Sequence, residues 1–346
     1  MSAELGASGL RGMRRKAVET TQLVEIGSVP GNAGSFPLLI TPAVDNVDLP
    51  AWCAEHQDEI DGYFDRYGAI LFRGFDLHSA ADFEAVAATI AGDLFADYGD
   101  LPPESAGEKV YGSTPYPPDK MILFHNESSH LPSWPLRQFF FCVIPCADRG
   151  TTPLLDCREV YKALDPEILD QFERKGLMYV RNFSEGIDVS WQEFFKTDDQ
   201  AEVERVCSEA GMSAEWTENG LRVRQLSQAV ASHPRTGEKL FFNQIQLHHV
   251  SCLDPETREA MTQLFDDEDL PRNVYFGDGT PIPDEVVQRI GDLFEELCVE
   301  FPWQKGDLIA VDNMIISHAR RPFSGERKLL VAMGRMMGAE TASASA

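Results

Sequence analysis

The chain reads as a mainly β fold with helices on its flanks, and three observations say so. Short apolar runs bounded by glycine, proline or charge recur along its length, as strands do. Between them lie segments with apolar residues at helical spacing. No internal repeat and no clear linker divides the 346 residues, a length that suits one large domain or two small ones. One domain over 36–338 is therefore expected. A Gly- and Ser-rich stretch at 1–35 reads as a flexible arm, and 339–346 as a disordered tail.

Taken in order, Pro50 to Tyr67 has apolar residues at helical spacing, and Ala69-Ile-Leu-Phe-Arg-Gly-Phe75 reads as a buried strand closed by glycine. Ala80 to Ala91 is a second helix. Met121-Ile-Leu-Phe-His-Asn-Glu127 is a strand running into a site, Phe139 to Ile144 another that stops at Pro145, and Thr152 to Asp156 a short third. Glu159 to Leu164 is helical, as is Glu167 to Lys175 after Pro166, with Asp165 as N-cap. Residues 185–220 are polar without β-alternation, and the stretch to about 235 reads as an insertion that covers the site. Lys239 to Asn243 returns to strand. Pro283 to Val299 is a helix with Val286, Val287, Ile290, Leu293, Phe294 and Leu297 as its apolar positions. Asp307 to Val311 and Lys328 to Met333 complete the strands.

Composition is that of a globular protein, 43% hydrophobic and 25% charged. Lys and Arg total 30 against 56 acids, a net charge of −26, which repels nucleic acid and anionic membrane surfaces. A local arginine can still bind a small anion, because the distant field is screened. No apolar run is long enough to span a bilayer, and no apolar stretch follows the basic start to make a secretory signal. The seven cysteines are odd in number and contain no CxxC pair, which suits reduced thiols in a cytoplasm. Cys142 and Cys146 lie in an apolar stretch and read as packing rather than zinc ligands.

The chemistry is carried by His125-Asn126-Glu127 and by His318. Two histidines and a carboxylate can occupy one face of Fe(II) and leave the opposite face open. A bare His-x-Asp/Glu triplet is weak evidence. With eight histidines and 56 acids, chance supplies about one. A second triplet, His56-Gln57-Asp58, is the decoy. It sits in a helical pattern, where i and i+2 diverge, and reads as solvated surface. On a strand the same spacing puts both side chains on one side. His318 ends the apolar run from Val311 and is followed by Arg320, Arg321, Arg327 and Lys328. A guanidinium there could bind a carboxylate as a two-pronged donor. The bland alternative is a satisfied histidine beside a solvated basic turn. His248 and His249, if on a strand, point opposite ways, so at most one could face a site.

Four segments together resemble a known family. They are His125-Asn-Glu-Ser-Ser-His-Leu-Pro-Ser-Trp-Pro-Leu, Gly150-Thr-Thr-Pro-Leu-Leu-Asp156, Phe301-Pro-Trp-Gln-Lys-Gly-Asp307, and the run from Asp312 to Arg327. In order and in kind they resemble the taurine dioxygenase-like (TauD/TfdA) Fe(II)/2-oxoglutarate oxygenases, nearest the branch with the syringomycin-pathway aspartyl hydroxylase. The likeness runs from about residue 65 to 335. It implies a double-stranded β-helix (jelly-roll) core. It implies Fe(II) on His125, Glu127 and His318, with 2-oxoglutarate and O₂ as co-substrates. Arg327 falls where the family binds the far carboxylate of 2-oxoglutarate, and Thr152 where a threonine often helps. Asn243 matches a segment near the pocket. For Thr152 and Asn243, a strand hydroxyl and a turn amide remain equal readings.

Two departures stand out. Many members carry aspartate at the position of Glu127, and the branch often has an aromatic residue where this chain has His130. His130 reads equally as a substrate contact or as a hydrogen-bonding group behind the metal. The resemblance implies hydroxylation of an unactivated C–H of an amino acid or amino-acid-derived molecule in specialised metabolism. Related halogenases have a small residue at 127, so a carboxylate there favours hydroxylation, or desaturation or cyclisation by the same oxidant. The substrate is free or tethered to a carrier protein; the −26 charge, unfavourable for meeting an acidic carrier, tips the reading toward a free one. Arg320 and Arg321, with Arg181 and Arg224, are candidates for its carboxylate. A non-catalytic jelly-roll binding module is the rival reading.

Overall fold

The computed structural model describes residues 23–31, 36–96, 109–112, 115–184 and 189–338. A seven-stranded sheet runs in the order Val24–Ser28, Leu38–Pro42, Ala69–Phe72, Leu308–Asp312, Ser133–Ile144, Lys328–Gly338, Tyr111–Gly112. A three-stranded sheet places Ile316–Arg320 between Ile122–His125 and Leu154–Asp156. A four-stranded sheet is made by Met212–Thr217, Gly220–Ser227, Leu177–Ser184 and Arg272–Phe276. The protein is thus mainly β with helices outside it, as the sequence predicts.

The central strands read as unbroken apolar runs because both of their faces are covered. Phe139, Phe141, Leu308, Ala310, Leu330 and Ala332 pack with Trp52, Phe64, Phe83 and Val86 from the helices Leu49–Glu55, Gln57–Tyr67 and Ala80–Ala91. Their neighbours Phe140, Cys142, Ile309, Val311, Leu329 and Val331 point the other way, against Leu154 and Ile316 of the three-stranded sheet. The site lies on that second side.

Several expectations are corrected. The segment read as a loose arm contains a strand: Val24–Ser28 pairs antiparallel with Leu38–Pro42. Residues 1–22 and 32–35, and the tail 339–346, lie outside the described residues. The single helix expected over Pro50–Tyr67 is two, broken at His56. His56 is not solvated. It is 8% exposed, stacks on Trp52 at 4.5 Å, and its Nδ1 bonds Trp52 O at 2.8 Å. The stretch 185–220 does contain β-alternation. Met212, Ala214 and Trp216 turn inward toward Val203 and Cys207, while Ser213, Glu215 and Thr217 face out. A small alanine at its centre hides the pattern. Its remaining described elements are the helices Trp191–Phe195 and Gln200–Glu209. His248 and His249 sit at the end of a short helix, Ile245–His248, rather than on a strand.

Behind the site lies a buried ion network. Arg137, fully buried, pairs with Asp312, also fully buried, and with Asp61 at 3.1 Å. His233 Nε2 lies 3.2 Å from Asp312, and Asp312 Oδ1 accepts from the backbone N–H of Met314 (3.0 Å) and Ile315 (3.2 Å). Burial alone would push the Asp312 carboxyl up; Arg137 and His233 more than offset it and hold it below the usual carboxylate range. Asp312→Ala strands a buried guanidinium, so unfolding in urea should show a loss of about 3–5 kcal/mol. Because the folded carboxyl titrates lower than the unfolded one, this contribution is present above pH ~4 and fades as pH falls further. A loss under ~1 kcal/mol would show that solvent reaches Arg137 after the change.

Candidate active site

His125 and His318 are direct register partners on adjacent antiparallel strands, with ring centroids 4.3 Å apart. Glu127 completes the group: one ligand atom from each of the three side chains lies within 4.8 Å of the others. The strand that carries His125 ends there, so Glu127 reaches the same side by a different device from strand alternation. Asn313 grips its backbone. The Glu127 N–H donates to Asn313 Oδ1 at 2.7 Å, and Asn313 Nδ2 donates to Glu127 O and to Pro135 O, both at 2.9 Å. Asn126 closes the clasp by donating to Asn313 O at 2.6 Å, while Gln244 Nε2 donates to Asn126 O at 2.9 Å. The next residue, Ser128, turns the chain with φ 57°.

The two imidazoles are prepared to donate lone pairs. His125 Nδ1 lies 2.8 Å from Leu123 O, which can only accept, so Nδ1 carries a proton and Nε2 is the nitrogen left for a metal. Burial, with His125 alongside, holds His318 well below the usual histidine range, and it is neutral at physiological pH. Two buried polar atoms here have no hydrogen-bond partner, His318 Nδ1 and Gln138 Oε1. Gln138 Nε2 donates to Glu127 Oε2 at 3.3 Å. Two imidazoles, one carboxylate and orphaned atoms beside them fit a divalent metal of the non-haem iron kind.

These residues open on a cavity of about 60 Å³, lined further by Phe140, Leu329, Val331, Thr152, Arg320 and Arg327. Drug-sized ligands need several hundred cubic ångströms, so the space suits a small acid rather than a dinucleotide. Arg327 Nε donates to Gly150 O at 2.8 Å and Nη2 to Thr152 Oγ1 at 3.3 Å; among the described residues no carboxylate pairs with it. Burial, then the neighbouring Arg320, brings Arg327 down to about 10, so it remains charged. Trp303 Nε1 also donates to Thr152 Oγ1, at 3.1 Å. Thr152 thus accepts twice, and its hydroxyl hydrogen is what it has to offer a ligand. A wider hollow of about 510 Å³ near Pro42 and Phe75 is lined by no histidine, arginine or lysine.

The other candidates are used differently. Arg320 is buried rather than on the surface, and its guanidinium donates to the carbonyls of Tyr116, Pro117 and Lys120, tying that loop to the cavity wall. Arg321 is committed outward to Glu295 at 2.6 Å and Glu300 at 3.3 Å, and Arg224 to Glu215 at 2.6 Å. Asn243 spends its side chain on its own turn, donating to Ala229 O and accepting from Ile245 N–H. His130 is packed between Tyr179 and His248. Sequence reasoning missed Asn313, Gln138 and Gln244. Gln138 had left a signal, since it and Arg137 are the polar pair in an otherwise apolar strand.

Comparison with known proteins agrees with this geometry. The family described as "Taurine catabolism dioxygenase TauD, TfdA family" matches residues 35–333. The dapdiamide synthesis protein DdaC of Enterobacter agglomerans is 34% identical over 297 residues, covering 85% of this chain and 90% of its own. The clavaminate synthase-like protein At3g21360 of Arabidopsis thaliana is 31% identical over 320 residues, covering 86% and 93%. Among solved structures, a taurine dioxygenase from Burkholderia xenovorans superposes with a TM-score of 0.54 at 14% identity, covering 92% of both chains. PvcB from Pseudomonas aeruginosa gives 0.53 at 15%, covering 93% and 94%. No helix among the described residues is long and apolar enough to cross a membrane. With a family match over most of its length and two relatives above 30% identity, the chain belongs to the TauD/TfdA family of dioxygenases, enzymes that work with Fe(II), 2-oxoglutarate and O₂.

Proposed function

We propose that this dioxygenase hydroxylates an unactivated C–H of an amino acid or amino-acid-derived small molecule in specialised metabolism. In this reading His125, Glu127 and His318 hold Fe(II), and Arg327 with Thr152 holds the far carboxylate of 2-oxoglutarate. The observation that carries it is one small cavity lined both by a three-donor cluster and by a half-buried arginine that no carboxylate among the described residues pairs with. The seven- and three-stranded sheets are read as the two halves of a double-stranded β-helix within one domain, and the segment 185–235 as its cover. A bond from Ser227 Oγ to Ser129 O, at 3.1 Å, supports the last point.

Bound iron would supply oxygen activation, paired with oxidative decarboxylation of the co-substrate. The chain supplies the rest. The Leu123 carbonyl fixes the His125 tautomer. Asn313 and Gln138 hold Glu127 at the backbone and at the carboxylate. Phe140, Leu329 and Val331 keep the cavity wall apolar. Arg327 fixes the far end of the acid, which orients its near end toward the three donors. Similarity to a protein named for dapdiamide synthesis favours an amino-acid-derived substrate.

Anaerobic protein with Fe(II) and 2-oxoglutarate should develop a weak visible charge-transfer band, and air should release succinate. Mass spectrometry across amino acids and pantetheine-bound aminoacyl groups should then find one that gains an oxygen. Loss of two hydrogens instead would mean desaturation or cyclisation, and no succinate under any condition would overturn the reading. Asn313→Ala should weaken binding of Mn(II), as a stand-in ion, about 10- to 100-fold, because outer partners hold ligands in place. A change under twofold in a metal titration would show that Glu127 holds its place without the clasp.

A further inference from the structure

Beyond the turn after Glu127, among residues that do not line the arginine cavity, the chain builds a second polar pole. The turn after Glu127 is tight, with Ser129 N–H on Asn126 O at 3.2 Å and Leu131 N–H on Ser128 O at 2.9 Å. It delivers His130 against His248 (5.1 Å between ring centroids) and Tyr179 (5.6 Å), which meet each other at 4.8 Å. His248 Nδ1 lies 3.1 Å from Gln244 O and must donate to it, so its Nε2 is an acceptor. Gln225, the register partner of Tyr179, has a buried Oε1 with no hydrogen-bond partner.

Two cations share this face. Arg181 lies two residues beyond Tyr179, and Arg272 is its direct cross-strand partner. Both arginines also make contacts within the protein, so it is their charge and placement that matter. Burial first, then these arginines among other neighbours, brings His130 down to about 4 and His248 to about 3. Both imidazoles are therefore neutral acceptors at physiological pH, beside two fixed positive charges.

Acceptors next to cations are complementary to a zwitterion. We propose that this pole receives the ionised head of the substrate, its carboxylate toward Arg181 and Arg272 and its ammonium toward His248 and Gln225. The proposal rests on the amino-acid reading above and sharpens it. It requires a free carboxylate, which an aminoacyl thioester lacks, so it selects a free amino acid over a carrier-bound one.

The test is calorimetric titration of the full chain, loaded with Mn(II) and 2-oxoglutarate, using free L-amino acids, their diamino and N-acyl derivatives, the matching methyl esters and the pantetheine thioesters. Binding of a free acid is expected, with a loss of about tenfold or more in its methyl ester, in Arg272→Gln and in His248→Phe, since each removes a charge-assisted or buried hydrogen bond. Arg272 is exposed and phenylalanine matches imidazole in shape, and the Fe(II)/2-oxoglutarate band reports whether each variant is folded and loaded. A free acid that binds the ester, R272Q and H248F forms equally well overturns the pole and leaves the amino-acid reading standing. Binding of thioesters alone also overturns it. If no amino-acid compound binds, the substrate class falls, and the pole with it.

Discussion

Replacing Glu127 with alanine is expected to abolish substrate hydroxylation and to weaken metal binding by at least about a hundredfold, beyond the range seen when a supporting partner is lost. The reason is the donor set. Two imidazoles remain at the site, and the single carboxylate of the cluster is gone. Among the described residues, its nearest polar neighbours cannot substitute. Gln138 is a neutral amide, and the buried Asp312 is committed to Arg137 and His233. The backbone of residue 127 should stay in place, because Asn313 holds its N–H and C=O rather than its side chain. The defect should thus appear in product and succinate formation, with the melting temperature of the metal-free protein little changed. Glu127→Asp, which keeps the charge one methylene short, should retain measurable turnover. Near-native hydroxylation by E127A would remove Glu127 from the ligand set.

The second large effect is expected at Arg327. If Arg327 holds the far carboxylate of 2-oxoglutarate as proposed, alanine there would leave that carboxylate without its cation beside Leu329 and Thr152. Truncating one side of a buried charge pair costs about 2–5 kcal/mol, which is roughly 30- to several-thousandfold in affinity. The loss should fall on the 2-oxoglutarate KM more than on kcat at saturation, as for an interaction made equally before and during reaction. Arg320 is close but holds three backbone carbonyls. An unchanged KM would mean that it lets go of them and takes over. In the unaltered protein, Arg327 is charged throughout the neutral range. Affinity for 2-oxoglutarate should stay flat with pH and fall only as pH nears about 10, where the guanidinium loses its proton.

What could be read in the sequence followed from how strongly each segment is biased. Helices with broad apolar faces, such as Asp284–Leu297, and strands covered on both sides, such as Leu308–Asp312, announce themselves through periodicity or unbroken apolarity. The weakly amphipathic Met212–Thr217 strand does not, and neither does Val24–Ser28, in which every residue but Val24 is exposed. The break at His56 was hidden because both halves of the helix keep the same polar character. At the site, side chains defined by chemistry (His125, Glu127, His318, Arg327) were visible from residue type and family likeness. Side chains defined by contact were not: Asn313 is one more asparagine until the fold brings it to the backbone of Glu127. Arg320 and Arg321 show the converse. Adjacent and chemically identical, they point to opposite sides of one strand end, so sequence alone gives no reason to assign one inward and one outward.

The facing of His125 and His318 across neighbouring strands also constrains assembly order. The two imidazoles come from parts of the polypeptide 193 positions apart, so both segments must be made and paired before they could hold one ion. An ion held there would add a cross-link between two strands already joined by backbone pairing, by the Asn313 clasp and by the bonds of Arg320. By mass action, each tenfold excess of ion over its dissociation constant then adds about 1.4 kcal/mol to the closed form. Chelation should therefore loosen this seam before it disturbs the broad sheet behind.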